Sequence, residues 1–412
     1  MKQTDKERAR QKEQLRQGMT VTPDKTEDEE DIKLRRHRLR RLGRLVLILL
    51  VIALAFGAYT LWQRYQRKQT FENHVISWEK EIVTTTKDKY LAYRDYLLRY
   101  NRDGISYIND KGEIVWTHSY EMLDPTVAVN GDFVAVIDRG GYQAYILNAG
   151  GCTGQITTIL PIHKVTVSAG GVTAIVVEDG LADKVYFYDL SGRQIAIEVK
   201  TLLTEDGYTL DMELSPDGQQ LVTAYVYLDQ GTMKNQVVFR NFGEEGQEMI
   251  GRLVGGFRDY EGELLGRVTF LSDVYACAFA QDRICFYSLK NRVSPKLVKR
   301  IDYDKEISSV FYSSDYVGVI ADGRNSVSKK ITVFGQSGEK VSEFETDFAY
   351  SGANFSGGNI ILYNNVRCVI YNIHGEIKYE ANMGTNIVWA SCLTDRTLLI
   401  LDGQTLRAIA LQ

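Results

Sequence analysis

The sequence predicts an all-β fold, an eight-bladed β-propeller with seven blades as the competing count, closed by strands from both ends of the chain and preceded by one transmembrane helix. Three observations carry that prediction. The chain has 412 residues, more than one ordinary hydrophobic core serves, so several domains or a repeat architecture is expected. Composition favours the repeat, with 25 Tyr, 15 Phe and 35 Gly against 5 Pro and with β-branched and aromatic residues recurring in short runs along the whole C-terminal part. One segment breaks the pattern: Leu45 to Trp62, LVLILLVIALAFGAYTLW, is 18 residues without a charge, the length a helix needs to cross a hydrocarbon core.

Before that run, residues 1–44 are almost wholly polar and carry the acidic patch Glu27-Asp28-Glu29-Glu30-Asp31, which predicts a disordered charged tail. The run at 45–62 reads as a membrane span and not a buried core helix, because it is long, uncharged and ends in the interfacial pair Tyr59 and Trp62. A cleaved signal peptide fits less well, since the segment starts more than forty residues in and no small-x-small site follows it. Lys33, Arg35, Arg36, Arg38, Arg40, Arg41 and Arg44 precede it, against Arg64, Arg67 and Lys68 after it. That bias puts the N-terminus in the cytoplasm and the rest outside it, on a stalk at 63–75. The same basic cluster suits anionic lipid headgroups at the inner leaflet. Residues 1–44 hold 14 Lys+Arg and 9 Asp+Glu, leaving 35 basic against 44 acidic for the remainder. A net acidic ectodomain argues against nucleic acid as its partner.

From residue 76 to 412 the chain divides into units of short alternating strands. The landmark is a strand–turn–strand: ISYINDKGEIVW (Ile105 to Trp116), VYFYDLSGRQIAI (Val185 to Ile197), ITVFGQSGEKVSEF (Ile331 to Phe344) and CVIYNIHGEIKYE (Cys368 to Glu380). In each, the glycine supplies the positive φ of a tight turn. These turns set blades at about 88–120, 124–162, 163–203, 208–253, 263–303, 306–346 and 348–384, with three further strands in 386–412. The strand-like run Ile76 to Thr86 is left over and predicts the fourth strand of the last blade, which removes an open sheet edge. A pair of β-sandwiches would need linkers that the sequence lacks, and a solenoid would show shorter periods.

The segment ISYINDKGEIVW resembles the quinoprotein-like repeat, and only this unit keeps the final Trp, Trp116. Leu214-Ser215-Pro216-Asp217-Gly218 resembles the turn of WD-repeat and Tricorn-type propellers. The whole layout resembles a family of uncharacterised membrane-anchored β-propellers of Gram-positive bacteria, which implies a fold and a cell-membrane location but no activity. Quinoprotein dehydrogenases resemble one another in a vicinal cysteine pair, and no two cysteines are adjacent here.

Chemistry is sparse. No zinc-protease helix, phosphate-binding loop, nucleophile elbow or dinucleotide fingerprint occurs. His118, His163 and His374 fall in different blades without metal-pair spacing. Asp302-Tyr303-Asp304 and Asp322-Gly323-Arg324-Asn325 lack the terminal Glu of a calcium loop. The five cysteines, Cys152, Cys277, Cys285, Cys368 and Cys392, are scattered, and a two-residue turn at Gln281-Asp282 sets Ala278, not Cys277, opposite Cys285. Tyrosines at strand spacing serve sheet packing before carbohydrate stacking. No catalytic residue, metal or cofactor is expected. The insertions Glu178 to Asp183, Asp229 to Asn235, Gly251 to Gly262 and Asp322 to Lys329 all fall on one face, where recognition is expected. Phe257, Arg258, Asp259 and Tyr260 are the candidate binding residues, being aromatics and an Arg after flexible glycines. The sequence thus reads as a non-enzymatic scaffold binding a protein or an envelope polymer, with a channel enzyme or quinone-type cofactor binder, and a transmembrane sensor, as the alternatives.

Overall fold

The computed structural model describes residues 6, 8–10, 12, 13, 16, 44–59, 69–82, 85, 87–94, 96–258, 260, 264–324, 327–356, 358–384 and 386–412. The chain forms two compact units, Met1–Arg67 and Lys68–Gln412. In the first, the described residues of the tail are helical, and a helix covers 44–59. Residues 60–62, the last three of the expected span, lie outside the described residues, and among the described residues no helix is long and apolar enough to cross a membrane.

The second unit is an eight-bladed β-propeller. Its strands form eight four-stranded antiparallel sheets. Seven are continuous in sequence, at 89–119, 125–157, 162–202, 208–257, 265–302, 307–346 and 352–382. We letter the strands of each blade a to d from the channel outward. The eighth blade takes a, b and c from Ile387–Thr394, Thr397–Asp402 and Thr405–Leu411, and its d strand from His74–Glu81, which runs antiparallel to Thr405–Leu411 with His74 opposite Leu411 and Glu81 opposite Thr405. The closure predicted from both ends is therefore present, beginning two residues earlier than expected. The fourth blade is longer than expected: it ends at Phe257 because Leu253–Phe257 is its d strand.

The four landmark turns are the c–d hairpins of blades one, three, six and seven, and their glycines, Gly112, Gly192, Gly338 and Gly375, have φ of 70, 80, 80 and 87°. Asn109, Asp189 and Asn372 brace three of them by accepting backbone N–H bonds from two and four residues on. Every c–d pair, including the split one, carries a register shift. A bulge at the same place in each blade bends and twists the outer strand, which wedge-shaped packing around a ring demands.

The core sits between blades. Side chains of the b and c strands alternate, so Val134 and Val136 pack toward blade one while Ala135 and Ile137 pack toward blade three. Eight buried clusters result, one for each interface. The last joins blade eight to blade one through Trp389, Leu399, Leu401, Leu97 and Ile108, with Trp78 of the closing strand against it. A chain shortened to begin after Glu81 should leave Thr405–Leu411 as an open edge and uncover this cluster. Size-exclusion chromatography is expected to show aggregates for it, and a monodisperse peak for a chain that begins at residue 67.

Candidate functional site

Antiparallel order puts all b–c turns and d-to-a crossings on one face, the upper, and all a–b and c–d turns on the lower. The expected recognition patch does not stand open on the upper face. Phe257 closes the d strand of blade four and is partly buried, its ring 5.9 Å from Phe239 and 4.7 Å from Tyr287. Tyr260 is fully buried in the interface between blades four and five, and its hydroxyl lies 2.6 Å from that of Tyr287. Arg258 is exposed, with its guanidinium 5.8 Å over the Tyr227 ring and Nε donating to Gln236 Oε1 at 3.4 Å. Asp259 lies outside the described residues. The two aromatics are thus core residues: the stretch read as a glycine-rich loop pairs as a strand, and Tyr260 beyond it fills an inter-blade seam. Asp229 to Asn235 is likewise not an open insertion but the tip of a long hairpin, paired from Gln220↔Asn241 out to Asp229↔Thr232. Its two-residue turn, Gln230-Gly231, has φ of 51 and 79°, the primed-turn geometry that matches strand twist.

The upper face carries a different feature. Leu123 on the crossing into blade two, Ile159 on the crossing into blade three, Leu181 in the b–c turn of blade three and Leu228 near the hairpin tip of blade four are 75, 95, 77 and 77% exposed. Tyr142, Met233, Leu264, Val327 and Val366 add exposed apolar surface on the same face. On the lower face the described turns expose Leu190, Met249 and Ile250. A groove of about 610 Å³ there, between blades four and five, contains Arg292, but that guanidinium is held by Asp217 at 2.7 Å and by Gln219 Oε1 at 3.0 Å. Asp217 belongs to the Ser215-Pro216-Asp217-Gly218 turn, so this motif stitches two blades together.

The a strands of adjacent blades do not pair with each other, and side chains satisfy their inner edges. Thr166 Oγ1 accepts the Leu214 N–H at 3.1 Å, Asp211 Oδ2 the Val268 N–H at 3.0 Å and Glu213 Oε1 the Phe270 N–H at 3.3 Å. Lys164 pairs with Asp211 at 2.9 Å. Glu213 faces the channel and keeps some accessible surface, yet it lies deep within the ring, and burial pushes its carboxyl up to about 8. Sequence reading passed over these residues. Their signal was a charge at alternate positions inside strand-like runs, as in Asp211 and Glu213 of YTLDMEL.

Among the described residues no group of His, Cys, Asp and Glu is arranged to hold a metal. His118 lies against Tyr145, 4.5 Å between ring centres, and burial lowers its pKa. His163 is bonded to the Thr209 carbonyl and the Tyr208 hydroxyl. All five cysteines are free thiols, four of them buried, and Ala278 pairs with Cys285 as the turn required.

Residues 67–411 match the family described as "Family of unknown function (DUF5711)". Among curated proteins none matches the sequence significantly. Of solved structures, BamB from Moraxella catarrhalis is similar with a TM-score of 0.51 at 14% identity, covering 82% of this chain and 100% of that one. Sqt1 from Chaetomium thermophilum, bound to the N-terminus of the ribosomal protein L10, is similar with a TM-score of 0.51 at 13% identity, covering 78% and 96%. At these identities the likeness concerns the fold.

Two measurements check the roles assigned here. In urea unfolding, Tyr260→Ala should cost about 3–5 kcal/mol, as removal of a buried aromatic does, whereas Arg258→Ala should stay within about 0.5 kcal/mol of the parent. Glu213 has its pKa raised from 4.5 to about 8, so the folded state holds a proton that the unfolded chain has released. Stability should therefore fall as pH rises across that window, and Glu213→Gln should flatten the slope.

Proposed function

Because the chain belongs to the DUF5711 family, whose function is unknown, membership brings no activity with it, and we propose from its own geometry that it is a membrane-anchored extracytoplasmic scaffold that docks a protein partner on its upper face. The observation that carries this reading is the arc of Leu123, Ile159, Leu181 and Leu228 across blades two to four. Isolated exposed apolar side chains need no explanation, but four on one face of three neighbouring blades, each at least three-quarters open, make a surface that association would cover. The excess of acidic over basic residues after residue 44 (44 against 35) favours a partner segment that carries basic side chains beside its apolar ones. Sqt1, with the N-terminus of L10 bound to it, is a precedent for the class of partner only.

The run Leu45–Trp62 supplies the anchor in this reading. The large apolar side chains of helix 44–59 are all more than half exposed, and a helix apolar on every side suits a lipid surrounding. The chain enters the propeller at its lower face, where the Phe71 N–H donates to the Lys378 carbonyl at 2.7 Å and His74 pairs with Leu411.

Washing membranes at alkaline pH should leave the full chain in the pellet and detergent should release it; recovery in the wash would contradict the anchor. Ile159→Asp together with Leu181→Asp should abolish co-purification of the partner while moving the thermal midpoint by no more than about 2 °C, since both are surface positions. Undiminished recovery of the partner would contradict docking on this face.

A further inference from the structure

We propose that the central channel is a binding site for a small oxyanion, a carboxylate or a phosphate ester, gripped by Arg267. The a strands of blades two, three and four, with Arg267 of blade five and Tyr312 of blade six, line a cavity of about 220 Å³. At ~30 Å³ per water that is space for a compact metabolite and not for a polymer. This site is separate from the upper apolar arc and does not depend on it.

The cavity holds two basic and two acidic side chains, and their bonds engage all but one of them. Lys164 is consumed by Asp211 at 2.9 Å and by the Leu210 carbonyl, and the other Asp211 oxygen takes the Val268 N–H. Glu213 accepts the Phe270 N–H and, half-buried among Asp211, Lys164, Arg267 and Tyr312, holds its proton at neutral pH. Arg267 is what remains. It is exposed on the channel wall, its guanidinium carbon 5.7 Å from the centre of the Tyr312 ring, and it forms no ion pair among the described residues.

A guanidinium that packs by an aromatic ring and has no ion-pair partner keeps its fork of N–H donors for a ligand, and that fork takes a carboxylate or phosphate in two parallel bonds. A single uncompensated cation inside a partly enclosed wall attracts a small anion more strongly than one on the outer surface does. The contrast with the rest of the unit is informative, since the chain beyond residue 44 is net acidic and its outer surface would repel the same ligand. Glu213 matters by its neutrality: ionised, it would return a negative charge to the cavity and cancel Arg267.

The test is isothermal titration of the full chain in detergent with succinate and, separately, with inorganic phosphate. The parent should bind at least one of the two, and Arg267→Gln should weaken that binding by roughly 10- to 100-fold, the loss expected of a charged hydrogen-bond pair. Arg267→Lys, which keeps the charge but not the fork, should fall between them. Succinate keeps its charge between about pH 6.5 and about pH 9, and over that range its affinity for the parent should drop by about tenfold as Glu213 ionises, while Glu213→Gln should hold its affinity. Failure of both ligands to bind the parent at millimolar concentration, or equal binding by Arg267→Gln, overturns the proposal. A pH loss that persists in Glu213→Gln overturns the part assigned to Glu213.

Discussion

Eight wedge-shaped sheets make a ring only if the last is tied to the first, and here the tie is the antiparallel pairing of His74–Glu81 with Thr405–Leu411. Segments more than three hundred residues apart in sequence thus share one sheet, which closes the ring. Without that strand the eighth blade would end in an unpaired row of backbone groups, and the cluster between Trp389 and Leu97 would lose the cover of Trp78. Residues 69–73 extend the tie. Phe71 packs on the cluster between blades seven and eight, and Glu72 and Asn73 bond to the Gln412 carbonyl.

Given closure, the remaining architecture follows from period-two alternation. A b or c strand must be apolar on both faces because each faces a different neighbour, so these strands read as near-continuous hydrophobic runs such as VGVIA and CVIY. The a strands are different. They border the channel with one edge unpaired to any strand, and polar side chains of the preceding blade take over: Asn354 and Ser356 donate to the Ala390 and Cys392 carbonyls much as Thr166, Asp211 and Glu213 accept N–H bonds. The polar character of the channel is therefore first a solution to unsatisfied backbone, and the charge left over on Arg267 is a by-product available for binding.

The blades were legible because their markers are local. A glycine in a c–d turn, an Asx residue before it and alternation on either side each signal within a dozen residues, and the spare strand at 76–86 announced the closure. What was not legible depended on neighbours far away in sequence. Nothing near Tyr260 says that its hydroxyl meets Tyr287 across a seam, so two aromatics and an Arg after glycines looked like an exposed anchor. Leu253–Phe257 carries two glycines and a weak strand signal, and it is a strand only because Phe239 and its neighbours offer it an edge. Glu213 and Arg267 come from consecutive blades, and no spacing rule brings two such residues together. The apolar arc escaped notice because single apolar residues in turns are ordinary; only the ring brings Leu123, Ile159, Leu181 and Leu228 to one face.

Docking of a partner on the upper face, as proposed, can be probed one position at a time. A photo-cross-linking side chain introduced at Ile159 or Leu181, and in parallel at the lower-face positions Ser191 or Glu244, tests it directly in cells that make the full chain. One discrete cross-linked species is expected, the same from both upper positions and absent from both lower ones. The same species from the lower positions, or none from the upper, would contradict upper-face docking.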